Sequence, residues 1–212
     1  MRINNIVVYS DKEANVIDDY YSLEMKSSQD WSLDRFSNIR QAIKSHYKIE
    51  QNYTCPYCKV IYPITHGMVW DIDHIIPKDT KLQFMFEPRN LCVACKDCNN
   101  AKGSKNVLEN VDRVRFPTNA RDYKIVHPHF DIYDAHINAV VPGDFYRPLS
   151  RKGEFTIIIC RLLRFYGVVQ REQPDIEIDE LAKAMITSEG AARRVMEDEL
   201  VRRITEKRNQ TP

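Results

Sequence analysis

The chain has 212 residues, 43% of them hydrophobic and 29% charged, with a formal net charge of +1. This composition is ordinary for a soluble globular protein large enough to bury a core. The small net charge excludes a global basic field, and no stretch approaches the roughly 20 apolar residues of a membrane helix.

No long apolar run follows Arg2, so no secretory signal is read. A reducing cytoplasm is expected, and there paired cysteines read as metal ligands rather than disulfides.

Ile3 to Tyr9 is a β-branched run that predicts a strand, and a weak pattern over 14–25 predicts a helix. Leu33, Phe36, Ile39, Ile43 and Tyr47 recur at helical spacing, so a helix is expected over 32–47, capped by Asp30 or Ser32. It should pack behind the motif that follows, with His46 at the surface or hydrogen-bonded. Cys55-Pro56-Tyr57-Cys58 reads as a tight knuckle. Val69 to Asp73 reads as a strand, with Trp70 and Ile72 on one face and Asp71 and Asp73 on the other.

Pro77 stops that strand, and residues 79–89 form a loop with an apolar tip at Leu82, Phe84, Met85 and Phe86. Leu91 to Ala94 gives a second strand. A helix follows from about Lys96 toward Leu108, weakened at Gly103. Pro117, Pro128, Pro142 and Pro148 make 110–150 a loop-rich wrap. Residues 154–166 read as an apolar helix ended by Gly167, then a linker at Gln170 to Pro174. Two helices close the chain, 176–186 and 189–207, the latter capped by Ser188 with Ala192, Val195, Met196, Leu200 and Ile204 as its stripe. Three regions are expected: 1–50, 51–110 and 111–212.

The chemistry lies between Cys55 and Lys105. Two C-x2-C pairs, Cys55/Cys58 and Cys95/Cys98, offer four thiolates, the number a closed structural zinc site takes. Cys92 and Cys160 are left over as core thiols. Between the pairs stands Asp73-His74, with Asn90 and Asn99 after it. Hydrolysis of a phosphodiester needs an activated water and charge stabilisation on the phosphoryl group. A neutral His74 is suited to take the water's proton. The Asp73 carboxylate and the Asn99 amide carbonyl suit a hard divalent cation, Mg2+ or Mn2+. Asn90 could hold the loop or the histidine, and Asp71 could support the site from behind.

Residues 78–124 carry ten Lys/Arg against six Asp/Glu, a local positive excess where a phosphate backbone would pass. Lys78, Lys102 and Lys105 are its candidate nucleic-acid contacts. His127, His129, Asp131, Asp134 and His136 fit no metal template and read as structural.

CPYC, the DHIIP of "DIDHIIPK", Asn90-Leu91 and "CKDCNNAKG" together resemble the HNH endonucleases of the ββα-metal class, in the subtype with a four-cysteine zinc site. The resemblance covers 53–106. It implies that His74 is the general base, that Asp73 and Asn99 bind one catalytic cation, that Asn90 is structural, and that Lys102 faces phosphate. Asn99 stands where the family often has His, as in the HNN variants found in RNA-guided DNA nucleases.

The expected fold is α+β: a ββα-metal nuclease core braced by zinc, with helical N- and C-terminal extensions. The expected function is a metal-dependent endonuclease, with DNA ranked ahead of RNA. The alternative is a non-catalytic zinc-stabilised nucleic-acid-binding module. A likeness to small HNH effectors of bacterial anti-phage systems further implies an ATPase partner, reached through the C-terminal helices.

Overall fold

A computed structural model describes residues 2–63, 68–166 and 176–210. The chain divides into two compact units, one running to Leu163 and one from Arg164 onward. Residues 111–163 therefore cluster with the motif-bearing segment rather than with the last two helices.

In the first unit, helix α1 spans Asp11–Ser22. Ser10 and Glu13 form a reciprocal capping box at its start, which satisfies two otherwise unpaired backbone donors. Helix α2 spans Ser37–Glu50, with Ile39, Ile43 and Tyr47 buried. It begins five residues later than the sequence pattern suggests. Asp30 accepts from the Ser27 N–H at 2.8 Å and so closes a 3-10 turn over Ser28–Ser32. A second such turn, Asp34–Phe36, follows, which leaves Leu33 outside the helix and exposed.

Ile3 to Tyr9 is not a strand. Its donors pair elsewhere: Ile3 N with Pro128 O, Asn4 and Asn5 N with Glu50 Oε1, and Val7 N with the Tyr47 hydroxyl. Side chains of α2 thus take the place of a ladder.

Strand β1 (Trp70–His74) pairs antiparallel with β2 (Leu91–Cys95), placing Asp71 opposite Ala94 and Asp73 opposite Cys92. Helix α3, Lys96–Lys102, follows β2 without a loop. It stops at Gly103, whose φ of +51° is open to glycine and disfavoured elsewhere, so the helix does not reach Leu108. Both α2 and α3 pack on the two strands. Gln51, just past α2, accepts from Val93 N at 2.9 Å and donates to Val93 O at 2.7 Å. One buried amide thereby satisfies backbone groups of β2 that a further strand would otherwise take.

The proline-rich wrap contains a hairpin that the sequence reading missed, β3 (Ile137–Val141) with β4 (Phe145–Pro148). Pro142-Gly143-Asp144 was the available turn signal. Helix α4 spans Arg151–Ile159, and the Ser150 hydroxyl accepts from Gly153 N at its start. A Cβ at Gly153 would stand 1.8 Å from the His136 carbonyl oxygen, so only glycine fits between helix and hairpin. The helix ends seven residues earlier than expected.

The second unit contains α5 (Ile176–Thr187) and α6 (Gly190–Gln210), packed together. Leu200 and Ile204 are buried, as the stripe requires, but Val195 is 69% exposed and Ala192 is exposed too. Glu197 is buried instead and pairs with Arg193. The expected stop at Gly167 and linker at 170–174 lie outside the described residues. Among the described residues, no helix is long and apolar enough to cross a membrane.

Candidate active site and cysteine centre

The sulfur atoms of Cys55, Cys58, Cys95 and Cys98 all lie within 4.8 Å of one another, and all four residues are buried. Cys58 Sγ and Cys95 Sγ are 3.8 Å apart. That is too long for a disulfide. It is the edge of a tetrahedron whose centre is about 2.3 Å from each sulfur, the zinc–thiolate distance. Hydrogen bonds among the four thiols push Cys58 and Cys98 up and Cys95 down, and four buried sulfurs at this spacing are the donor set of a closed tetrahedral site. The site therefore fits a metal such as zinc. The C-terminal wrap backs the first knuckle: the Tyr133 hydroxyl donates to Tyr57 O at 2.8 Å and that of Tyr146 to Cys58 O at 2.6 Å.

Strand β1 and helix α3 meet through two matched pairs. Asn99 Nδ2 lies 3.4 Å from Asp71 Oδ2, and Lys102 Nζ lies 2.9 Å from Asp73 Oδ1. Two residues apart on a strand and three apart on a helix both mean one face, so the pairing follows directly from the register. The Asp73–Lys102 pair is deeply buried, at 2% and 1% exposure. Lys102 also donates to the carbonyls of His74 and Ile75 at the strand end. The second Asp73 oxygen accepts from the Tyr57 hydroxyl at 2.5 Å. Burial first, and then the Asp73 charge, push the Tyr57 phenol up, so it stays a donor.

His74 closes β1. Its Nε2 lies 3.1 Å from the Met85 carbonyl oxygen. A carbonyl only accepts, so Nε2 carries the proton and Nδ1 keeps its lone pair. The indole of Trp31 packs edge-on to the ring at 4.6 Å. Burial above all, with Lys78 and Lys102 adding to it, lowers the His74 pKa to about 3, so the ring is neutral at physiological pH.

Asn90 is fully buried. Its Oδ1 accepts from Ile76 N, and its Nδ2 donates to Ile76 O and Phe84 O. It ties both ends of the 76–90 loop together and so fixes the segment carrying the Met85 carbonyl.

A groove of about 850 Å³ opens over these groups. Asp71, Asp73, His74, Lys78, Asp79 and Asn99 line it, together with Arg40, Lys44 and Lys48 of α2. Of the residues singled out in the sequence, Asp73, His74 and Asn99 come together here, with Lys78 at the rim beside Asp79. Two expectations need correction. Lys102 does not face a phosphate path, because its ammonium is spent inside on Asp73. Lys105 is exposed but does not line the groove; its Nζ turns back onto the Ala101 carbonyl. Asp71, expected only as outer support, is the carboxylate beside Asn99. The α2 row was missed because that helix lies outside the motif.

Residues 55–105 match the family model of the HNH endonucleases. The HNH segment covers about a quarter of the chain and holds both cysteine pairs, both strands and α3. It points to a nuclease, and its cysteine cluster points to a bound metal. No curated protein matches the chain. The fold around the HNH segment is the expected α+β arrangement of two antiparallel strands and a helix beside a four-cysteine cluster.

Among the described residues, the four cysteines are the only metal-ready group of His, Cys, Asp and Glu. The histidines at 127–136 serve the core instead. His129 bonds the Leu91 carbonyl, His127 stacks on Phe130, and Asp131 pairs with Lys152 and His136. Cys92 and Cys160 are fully buried thiols.

Proposed function

We propose that this chain is a metal-dependent nuclease that hydrolyses phosphodiester bonds of nucleic acid. The reading is carried by His74: a neutral ring, held by a carbonyl at one nitrogen and keeping a lone pair at the other, in a groove lined by carboxylates. On this reading Nδ1 of His74 takes the proton of the attacking water. The Met85 carbonyl and the Trp31 ring keep the imidazole in one tautomer and one orientation.

Asp71, Asp73 and Asn99 offer oxygen donors, which fit a hard divalent cation such as Mg2+ or Mn2+. Such a cation, when bound, supplies charge stabilisation to the phosphoryl group and the leaving oxygen. Lys102 and Tyr57 hold Asp73 in place, and Asn90 keeps the 76–90 loop closed. The four-cysteine centre fixes β2 and α3 to the first knuckle and takes no part in the chemistry.

The deciding experiment incubates the full chain with plasmid, linear DNA and RNA, in Mg2+, in Mn2+ and without divalent cation. Cleavage should require the cation and fall on the order of 10²-fold or more in His74→Ala, with binding nearly intact. A variant as active as the wild type would return the protein to the class of non-catalytic binding modules.

A role as an anti-phage effector working with an ATPase is supported by the likeness to small HNH effectors, and DNA is ranked ahead of RNA as the substrate. DNA should then be cut faster than RNA of equal length. An ATPase should co-purify with the tagged full chain and make cleavage ATP-dependent. Undiminished cleavage by the purified chain alone, unmoved by ATP, would oppose the partner.

A further inference from the structure

One wall of the groove comes from outside the HNH segment. Arg40, Lys44 and Lys48 of α2 line it, with Gln41 and Ser45 between them. The three cations stand at i, i+4 and i+8, which is one helix face. They span a rise of about 12 Å, the axial length of roughly three to four phosphates of one duplex strand.

The orientation of this face is fixed from behind. Ile39, Ile43 and Tyr47 are buried on the other side of the helix, so α2 cannot rotate its cations away without exposing the core. Arg40 is also held at its end: Nη1 donates to the carbonyls of Trp31 and Leu33 at 2.6 and 2.9 Å. The same Trp31 packs on His74, so the basic wall and the candidate base share a support.

The floor explains why such a wall is needed. Asp71, Asp73 and Asp79 line the groove, and a phosphodiester approaching carboxylates is repelled. Asp73 is balanced by Lys102. Asp79 has Lys78 beside it at 3.4 Å, which leaves Asp71, next to Asn99, as the carboxylate an arriving phosphate would meet. Burial, and then the neighbouring Lys48 and Lys96 charges, lower the pKa of Lys44 against the opposing pull of Asp71.

Resting on the nuclease reading, we propose that Arg40, Lys44 and Lys48 grip the phosphodiester backbone of the substrate strand and hold it across Asp71 and His74. The ligand chemistry is the phosphate backbone, shared by DNA and RNA.

The test measures binding of the full chain, in a His74→Ala background, to a 30-base-pair DNA duplex and to single-stranded RNA of 30 nucleotides, from 50 to 200 mM salt. Replacing Lys44 and Lys48 together with glutamine should reduce the slope of log affinity against log salt by about 1.8 on the duplex and about 1.4 on the single strand. Lys105→Gln, outside the groove, should leave it unchanged. Unaltered zinc content and circular dichroism would show that the double variant is folded. An unchanged slope in a folded double variant, or an equal change in Lys105→Gln, would overturn the assignment. A wild type that cuts while the double variant keeps its slope defeats only the α2 wall. A wild type that binds with the predicted slope change yet never cuts defeats only the nuclease reading.

Discussion

The hydroxyl of Tyr57 donates a 2.5 Å hydrogen bond to Oδ2 of Asp73. Tyr57 stands between Cys55 and Cys58, so the bond ties the metal knuckle to the strand that ends in His74. A hydrogen bond to a charged group contributes about 1.5–3 kcal/mol. Tyr57→Phe should therefore lower stability by roughly that amount while zinc content stays at one per chain. With one oxygen of Asp73 released, the half-saturating Mg2+ for cleavage should rise about tenfold or more. A metal titration and a melt would decide it; a variant equal to wild type in both would show the bond to be idle.

Asn99 and Asp71 meet at 3.4 Å, and both line the groove. Asn99→Ala and Asp71→Asn should each raise the half-saturating Mg2+ and lower the rate at least tenfold, with zinc content and folding unchanged. Asn99→His should recover some activity and move preference toward softer ions, which imidazole suits. Should Asp71→Asn be silent while Asp73→Asn is not, the carboxylate that serves the cation is the buried one.

The cysteine centre is predicted to be what holds the HNH segment together. Its four thiols are buried with sulfurs within 4.8 Å, and structural zinc contributes on the order of 10 kcal/mol. Cys55→Ser should give insoluble or unfolded protein. Removing the metal from wild type with a strong chelator should abolish the melting transition. Metal-free protein with an unchanged melt and circular dichroism would contradict this.

Buried histidines set the acid limit. Burial lowers His129 to about 4 and His127 well below the ordinary range. Both are neutral in the folded chain, whereas the unfolded chain takes up their protons near pH 6.5. Stability from this source is complete above about pH 6.5 and is lost as pH falls, for His129 down to about 4. The slope is about 1.4 kcal/mol per pH unit for each residue. His129→Gln, whose amide nitrogen reaches about as far as Nε2, retains a donor for the Leu91 carbonyl but does not titrate. Its urea midpoint should vary less steeply with pH in this window; an identical slope would exclude His129 as the cause.

The groove's chemistry divides by where each residue sits in the chain. That Asp73, His74 and Asn99 share one groove, and that the four cysteines share one cluster, was legible in the sequence because short spacings around two C-x2-C pairs bring those particular atoms together. Strand alternation likewise placed Asp71 and Asp73 on one face before any coordinates. The two strands and α3 followed from period and punctuation, except that α3 ends at Gly103, where the backbone turns to positive φ.

Only the tertiary structure decided which charges face the groove. Lys102 looked like a phosphate contact, but a buried carboxylate needs a buried counter-ion, and Asp73 takes it inward. Residues 1–50 carry a small net negative charge and gave no sign of nucleic acid. Yet α2 sorts Arg40, Lys44 and Lys48 onto one side, because burying Ile39, Ile43 and Tyr47 fixes its rotation. Ile3 to Tyr9 has strand composition but finds side-chain acceptors on α2 before it finds a partner strand. Composition and spacing determine which chemistry the chain carries. Packing determines which of its charges meet solvent, because the burial of one face of a helix or strand commits the other.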